Sequence, residues 1–192
     1  NADSGEVSAS LGLFGDEVAI TTMTGELSYP SLTIAKGGLA RLYVDDSWAT
    51  LGTSELEDCL LDWTLSIDTG VHPKLRGSAS QKIGSHDQGL FGFTLTLGLE
   101  RGTTNLATEE GYARASTVTS RFVRIGIDSG TAINSGDNHS VYWDLAGVWT
   151  SWQSLGRDED GNSIEVATLR GGYDTTGTSS LEMRVTTDVE TI

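Results

Sequence analysis

Residues 91–100 of the chain have the sequence FGFTLTLGLE. Apolar side chains occupy every odd position, and threonine, glycine or glutamate occupies every even one. Because side chains along a strand point alternately to two faces, this period of two predicts a strand with one buried face. A slip of one residue would expose the whole apolar set, so we predict that all five point into one core: Phe91, Phe93, Leu95, Leu97 and Leu99.

The same alternation recurs along the chain. It is found at residues 63–67, 123–127, 141–145 and 181–185, and more briefly at 42–44. Turn-forming residues separate these runs at 128–130, 135–137, 160–162 and 171–172. Only residues 104–115 have a helical pattern. The chain is therefore predicted to be all-β, an antiparallel β-sandwich or barrel of two packed sheets with one short flanking α-helix.

Length and cysteine content limit the architecture. The 192 residues suit a single domain over 1–192. With Cys59 as the only cysteine, no internal disulfide can form, and we expect this thiol to be a small buried hydrophobic group. No run of about 18 apolar residues occurs, so the sequence predicts no membrane-spanning helix.

The chain is strongly acidic. Its 27 acidic and 12 basic residues give a net charge of −15. DNA binding by phosphate neutralisation requires clustered lysine and arginine, so this composition argues against it. Only three lysines occur, which is also typical of a protein from a salt-rich cytoplasm, where salt screens self-repulsion. Both explanations of the acidity remain open at this point.

No group of residues predicts catalysis or metal binding. His72 and His86, the latter beside Asp87, lie in a polar segment without metal-ligand spacing. Residues 158–162 begin like a calcium loop, but Ala167 stands where the loop needs a glutamate, so we interpret the segment as an acidic turn. Acidic residues are so numerous that no pair is singled out for glycoside hydrolysis. We assign no catalytic, cofactor-binding or metal-binding residues.

Two features suggest contacts outside the subunit. Residues 70–89 have little periodicity and are predicted to form a long loop, and such loops in compact domains are usually functional. Trp149 and Trp152 fall outside the strand alternation. Exposed tryptophans can stack on sugar rings, but tryptophan is also enriched at protein interfaces, and we favour a subunit interface.

The order of segments resembles the tail tube proteins of long, non-contractile viral tails. The resemblance extends from about Leu56 to the C-terminus and lies in order and pattern. The segments that carry it are DWTLSIDTG at 62–70, a loop with Pro73, the strand at 91–97, a short helix, FVRIGI at 122–127, YWDLAGV at 142–148, DEDGN at 158–162 and ATL at 167–169 before a last strand.

The resemblance implies a structural virion protein rather than an enzyme. Members form two packed sheets and closed six-fold rings, whose inner strands join into a β-lined channel for viral DNA. Loops and terminal arms reach the next ring, which for this chain implies the loop at 70–89 and the segment up to about residue 32. With the two tryptophans, the candidate subunit-interface residues are His72, Pro73, Lys74, Arg76, Trp149 and Trp152.

The partners implied are further copies of the chain, a tape-measure protein and DNA passing without specific binding, with no cofactor and no membrane. The implied location is the virion tail, assembled in the host cytoplasm. Three other functions are alternatives to this one. A secreted carbohydrate-binding β-sandwich would be monomeric, with Trp149 or Trp152 exposed beside a groove. Another tail component, such as a terminator or connector, would share the fold. A β-sandwich hydrolase would need two acids converging in a cleft.

Overall fold

The computed structural model describes Ser10 and residues 37–75, 83–101, 104–133, 136–157 and 163–187. A 3-10 turn, Gly37–Leu39, precedes nine strands and one helix. In chain order these are β1 (Ala40–Asp45), β2 (Leu60–Asp68), β3 (Val71–Leu75), β4 (Ile83–Gln88), β5 (Gly92–Glu100), α1 (Thr104–Arg114), β6 (Ser120–Ala132), β7 (Asn138–Arg157), β8 (Ser163–Gly171) and β9 (Leu181–Thr186). The protein is therefore all-β with one helix, as predicted.

Seven strands form one antiparallel sheet in the order β1-β6-β7-β8-β5-β2, with β9 also paired to β7. The long strand β7 makes this branching possible. One of its edges pairs with β6, and its other edge pairs first with β9 and then with β8. Where the sequence predicts two packed sheets, the structure has this single sheet and a separate two-stranded sheet formed by β3 and β4.

The seven-stranded sheet is strongly curled. Trp63 of β2 and Trp143 of β7 are separated by β5 and β8 in the strand order, a lateral distance of about 14 Å in a flat sheet. Their ring centroids are 5.1 Å apart. Two backbone hydrogen bonds then connect β1 to the segment before β2, from Val44 N to Ser54 O and from Leu56 N to Leu42 O. The sheet thus approaches a barrel around one core.

The core confirms the alternation seen in the sequence. Alternate positions of β5 and of β6 are buried on the inner face of the sheet: Phe93, Leu95, Leu97 and Leu99, and Val123, Ile125 and Ile127. On the other face of β6, Phe122 is buried in a smaller cluster with Leu51 and Ala146. Phe91 is an exception, because β5 begins at Gly92 and the Phe91 side chain is 48% exposed. Cys59 is buried, as predicted, and burial raises the pKa of its thiol to about 11.

Helix α1 spans Thr104–Arg114, one residue shorter at its end than predicted. Arg114 lies in its last turn, where a cation interacts favourably with the helix dipole. The helix packs against β7 and contributes Leu106 to the core. Among the residues that the structure describes, no helix has the length and apolar character needed to cross a membrane.

The segment predicted as a long loop contains a β-hairpin instead. Strands β3 and β4 pair with each other from Val71 opposite Gln88 to Leu75 opposite Ile83. A two-stranded arm outside the core requires no continuous apolar face, so its sequence lacks the period-two pattern that identifies core strands.

Candidate assembly surface

The β3–β4 hairpin leaves the main sheet through a tightly fixed base. Gly89 N donates a hydrogen bond to Gly70 O at 2.5 Å, and Gly70 N donates one to the Asp68 carboxylate at 2.8 Å. Gly70 has a φ of 66°, and a Cβ there would lie 2.7 Å from backbone atoms of residues 89 and 90. Glycine is therefore required at this point, and the base sets the direction in which the hairpin leaves the subunit.

The hairpin carries three of the predicted interface residues. His72, Pro73 and Lys74 all lie in β3, and His72 is exposed. Arg76 lies outside the described residues. Among the described strands, β3 and β4 pair only with each other, so the hairpin is an arm that extends from the main sheet. Whether it contacts another subunit stays a prediction.

Trp149 and Trp152 have a different position from the one expected. They are only 9% and 7% exposed, and their rings meet edge to face with centroids 5.2 Å apart. A β-bulge between Trp149 and Ser151 places both indoles on the same face of β7, which explains why they break the alternation. This burial corrects the expectation of interface tryptophans, since little of either indole remains for a neighbouring subunit to contact.

Each of these tryptophans is held by a buried carboxylate. The Trp149 indole N–H donates to Glu109 of α1 at 3.0 Å, and the Trp152 N–H donates to Glu165 of β8 at 2.7 Å. Arg101 lies 3.1 Å from the other oxygen of Glu165. The two indole N–H groups therefore have hydrogen-bond acceptors in the core, as is usual for buried tryptophans.

Glu109 also joins the helix to β6. Arg121 donates to both of its carboxylate oxygens, at 2.9 and 2.5 Å. Burial raises the pKa of Glu109 to about 7, whereas the hydrogen bond from Trp149 acts in the opposite direction. Arg121 has a second carboxylate partner, Asp46, and its guanidinium lies 4.5 Å from the centre of the Tyr112 ring. A buried, charge-balanced contact of this kind fixes one position of α1.

A second ionic cluster lies on the outer face of the sheet. Asp144 of β7 accepts two hydrogen bonds from Arg124 of β6, at 2.6 and 2.9 Å, and one from Arg184 of β9 at 2.5 Å. Arg184 also lies 3.6 Å from Glu182. The three strands are thus joined by charges as well as by backbone pairing, and the pKa of Arg124 is raised chiefly by its hydrogen bond to Asp144.

Sequence reasoning missed these buried acids. Asp144 occupies a polar position in an alternating strand, which predicts exposure. Its partners come from strands distant in sequence, so no local pattern identifies it. The even spacing of Arg124, Gly126 and Asp128 in β6 does indicate a polar outer face, but it does not tell which strand lies beside it.

Strand β9 presents an incomplete apolar surface. Its Met183 and Val185 stand opposite Trp143 and Val141 of β7, on the face that points to the core, yet each is 55% exposed. Ile67, near the end of β2, is 46% exposed on the same inner face. Strand β9 pairs only with β7 and β2 only with β5 among the described strands, so both carry a second edge without a described partner strand.

In the described part of the chain, no group of three or more histidine, cysteine, aspartate or glutamate side chains is arranged to hold a metal ion. The histidine pair considered from the sequence lies on the hairpin, with His72 opposite Asp87 and Pro73 opposite His86. The acidic turn at 158–162 lies outside the described residues.

A scan against protein-family models finds no matching family. A search of curated proteins finds no matching relative.

Proposed function

We propose that this chain is the major subunit of a viral tail tube, a structural protein that polymerises as stacked, hexameric rings. Its main partner is a further copy of itself. The tape-measure protein and transiting DNA occupy the lumen, and the DNA passes without specific binding. The protein performs no catalysis in this role and acts in the virion tail.

The observation that carries the proposal is the incomplete inner face at the edges of the curled sheet. Met183 and Val185 alternate like core residues but remain half exposed in the isolated subunit. An edge strand that combines exposed apolar side chains with unpaired backbone groups favours pairing with another chain. In a closed ring each subunit supplies the missing neighbour, so every edge is covered without open-ended aggregation.

The charge of the chain supports a conduit. DNA carries about one negative charge per 1.7 Å of axis, and a basic wall would retain it through counterion release. A subunit with a net charge of −15 provides no such wall. An acidic or neutral lumen would let the DNA duplex slide along the tube, as the release of viral DNA through a tail requires.

The carbohydrate-binding alternative loses its main support, because it requires Trp149 or Trp152 to be exposed beside a groove and both are buried. A terminator or connector would use the same sheet edges to form a ring. It would differ by stopping after one ring instead of adding further rings.

Negative-stain electron microscopy of the purified protein tests the proposal. We expect tubes, or rings that stack as the concentration rises. Dispersed monomers at all concentrations would contradict the tube function, and single rings that never stack would favour the terminator.

A variant pair makes this test specific. Met183→Asp with Val185→Asp places charges on the inner face of β9, so we expect a folded monomer that no longer assembles. Thr175→Asp, at an exposed turn position, is the matched control and should assemble like the wild type.

A further inference from the structure

A groove of about 610 Å³ lies between β1 and β2, where the curled sheet does not close. Within the described residues, the backbone hydrogen bonds between β1 and the segment at 54–56 involve only Leu42 and Val44 of the strand. Before Leu42 this edge of β1 faces the groove, and the start of β2 lies on the other side. The walls are formed by the first residues of β1 and of β2, by the segments at 38–39 and 55–59 that precede these strands, and by Glu100. The exposed strand edge at the start of β1 is a form suited to an extended segment or a hairpin.

The lining of the groove is acidic with exposed leucines. Four carboxylates contribute to it, of which Glu57 and Asp58 are exposed and the others are Glu55 and Glu100. Arg41 is the one basic residue in the lining, and it lies 3.8 Å from Glu55. Leu39 and Leu61 line the groove and are 42% and 45% exposed. An occupant that fits this surface is basic, extended and partly apolar.

The β3–β4 hairpin segment has the complementary composition. Residues 71–88 contain three basic residues, Lys74, Arg76 and Lys82, and a single acid, Asp87, within a chain of net charge −15. Two of the three lysines of the whole chain are in this segment. The hairpin also has apolar residues, with Leu75 opposite Ile83. The most basic segment and an acidic groove therefore belong to the same subunit.

These two features lie at opposite ends of one strand. The groove adjoins Leu60 and Leu61, where β2 begins, and the hairpin leaves just after Asp68, where β2 ends. Nine strand residues separate the ends by about 27 Å. A projection and a complementary recess at opposite ends of a subunit produce a head-to-tail contact, which repeats from copy to copy.

We infer that the groove between β1 and β2 is the docking site for the basic β3–β4 hairpin of a second copy of this chain. The inference rests on the proposed tube function and identifies the contact that stacks one ring on the next. Opposite charges select the hairpin and set its orientation, and the leucines together with the strand edges hold it.

A charge exchange tests the contact. Lys74→Glu with Lys82→Glu reverses the charge of the hairpin segment, and Glu57→Lys with Asp58→Asn and Glu100→Lys reverses the charge of the groove lining. Asparagine is chosen because Asp58 has a φ of 52°, which asparagine tolerates. We expect each variant to reduce the fraction of protein that sediments as tubes by about tenfold or more, and a protein carrying both changes to recover it.

Ala107→Lys with Thr108→Lys, on the exposed side of α1, is the control for added positive charge and should leave sedimentation unchanged. Wild-type tubes together with normal assembly of both reversed variants would overturn the docking site and leave the tube function intact. The docking site is also overturned if the protein that carries both sets of changes does not sediment as tubes although its melting temperature equals that of the wild type.

Cross-linking gives a measurement that does not require tubes to be seen. Ser85→Cys places a thiol in β4 opposite Lys74, and Leu61→Cys places one on the groove. Cys59 is buried and should not compete. When the two variants are mixed under mild oxidation, we expect a disulfide-linked heterodimer, whereas Ser85→Cys mixed with Thr108→Cys should give none. A mixture in which Leu61→Cys gives no more heterodimer than this control would refute the docking site.

Discussion

Glu109 of α1 and Arg121 of β6 form a buried, two-pronged ion pair, and the indole of Trp149 donates to the same carboxylate. Both charged side chains are only 5% exposed. The pair joins α1 to β6 beside the apolar contact that Leu106 of the helix makes with the core. A variant that lacks one partner leaves the other charge buried without a counter-ion, whereas a variant that lacks both leaves no buried charge. Comparing the stabilities of these variants tests the contact.

The first prediction concerns that ion pair. Arg121→Leu should destabilise the fold by about 3–5 kcal/mol, because Glu109 stays buried without its cation. The double variant Arg121→Leu with Glu109→Leu should cost clearly less, since no buried charge remains. Urea unfolding of the wild type, both single variants and the double variant measures this. A double variant as unstable as the sum of the two single ones would show that the residues do not interact.

The second prediction concerns pH. Burial opposes ionisation of Asp45, but hydrogen bonds from Ser54, Gly52 and Thr53 outweigh it and lower the pKa of its carboxyl. A lowered folded-state pKa adds stability above the ordinary aspartate range, and this is lost as the pH falls through the folded value.

Asp45→Asn should therefore cost about 1–3 kcal/mol at pH 7, because the backbone N–H groups of the loop lose a charged acceptor. The difference from the wild type should shrink as the pH falls below the ordinary aspartate range. Unfolding free energies at neutral and acidic pH measure it, with Asp62→Asn on the exposed face of β2 as the control. A difference that is constant with pH would contradict the role assigned to the carboxylate.

The third prediction compares two phenylalanines of one motif. Phe93 is 4% exposed and lies in the core, whereas Phe91 precedes the strand and is 48% exposed. Phe93→Ala should cost about 3–5 kcal/mol, because it removes a buried ring and leaves a cavity. Phe91→Ala should cost less than about 1 kcal/mol in the monomer. Equal losses in denaturant unfolding would show that the position of β5 in the core is wrong.

The fourth prediction removes the hairpin. Gly70 and Gly89 are already joined by a backbone hydrogen bond at its base, so deleting residues 71–88 and linking these glycines should leave the main sheet intact. We expect a folded, soluble protein with nearly the wild-type melting temperature that no longer polymerises. Normal tubes from the shortened protein would exclude the hairpin from stacking and would exclude the groove as its docking site.

The fifth prediction concerns the acidity, which reflects either the lumen or a salt-rich habitat. Self-repulsion in a chain of net charge −15 should weaken with salt, because the Debye length falls from about 10 Å at 0.1 M to about 3 Å at 1 M. We expect the melting temperature to rise over this range, as the chain-wide scarcity of lysine suggests. A melting temperature independent of salt would end the habitat explanation and leave the lumen as the reason for the acid.

The strands of the core could be predicted because their signal is local. Leu95 and Leu97 in β5, like Val123 and Ile125 in β6, alternate with polar residues, and the pleat alone converts that spacing into one buried face. The helix was also predictable from its composition. Neither inference required knowledge of which strands are neighbours.

The candidate surface could be predicted only in part. The lack of periodicity at 70–89 predicts a long loop outside the core. It does not predict the pairing of β3 with β4, because these two strands pair with each other and not with a core strand. The broken alternation at Trp149 and Trp152 predicts exposure, whereas a bulge in β7 and the helix packed against it bury both side chains. A bulge leaves no reliable mark in the sequence.

Local pattern and composition are enough to establish the all-β class, the buried faces of the central strands and the acidic character of the chain. The tertiary structure decided which polar residues are buried, such as Asp144 between Arg124 and Arg184, and which apolar ones are left exposed, such as Met183 and Val185. The physical reason is that alternation specifies two faces of a strand, whereas burial depends on what covers each face. That cover comes from residues distant along the chain, and at the edges of the sheet we propose that it comes from another subunit.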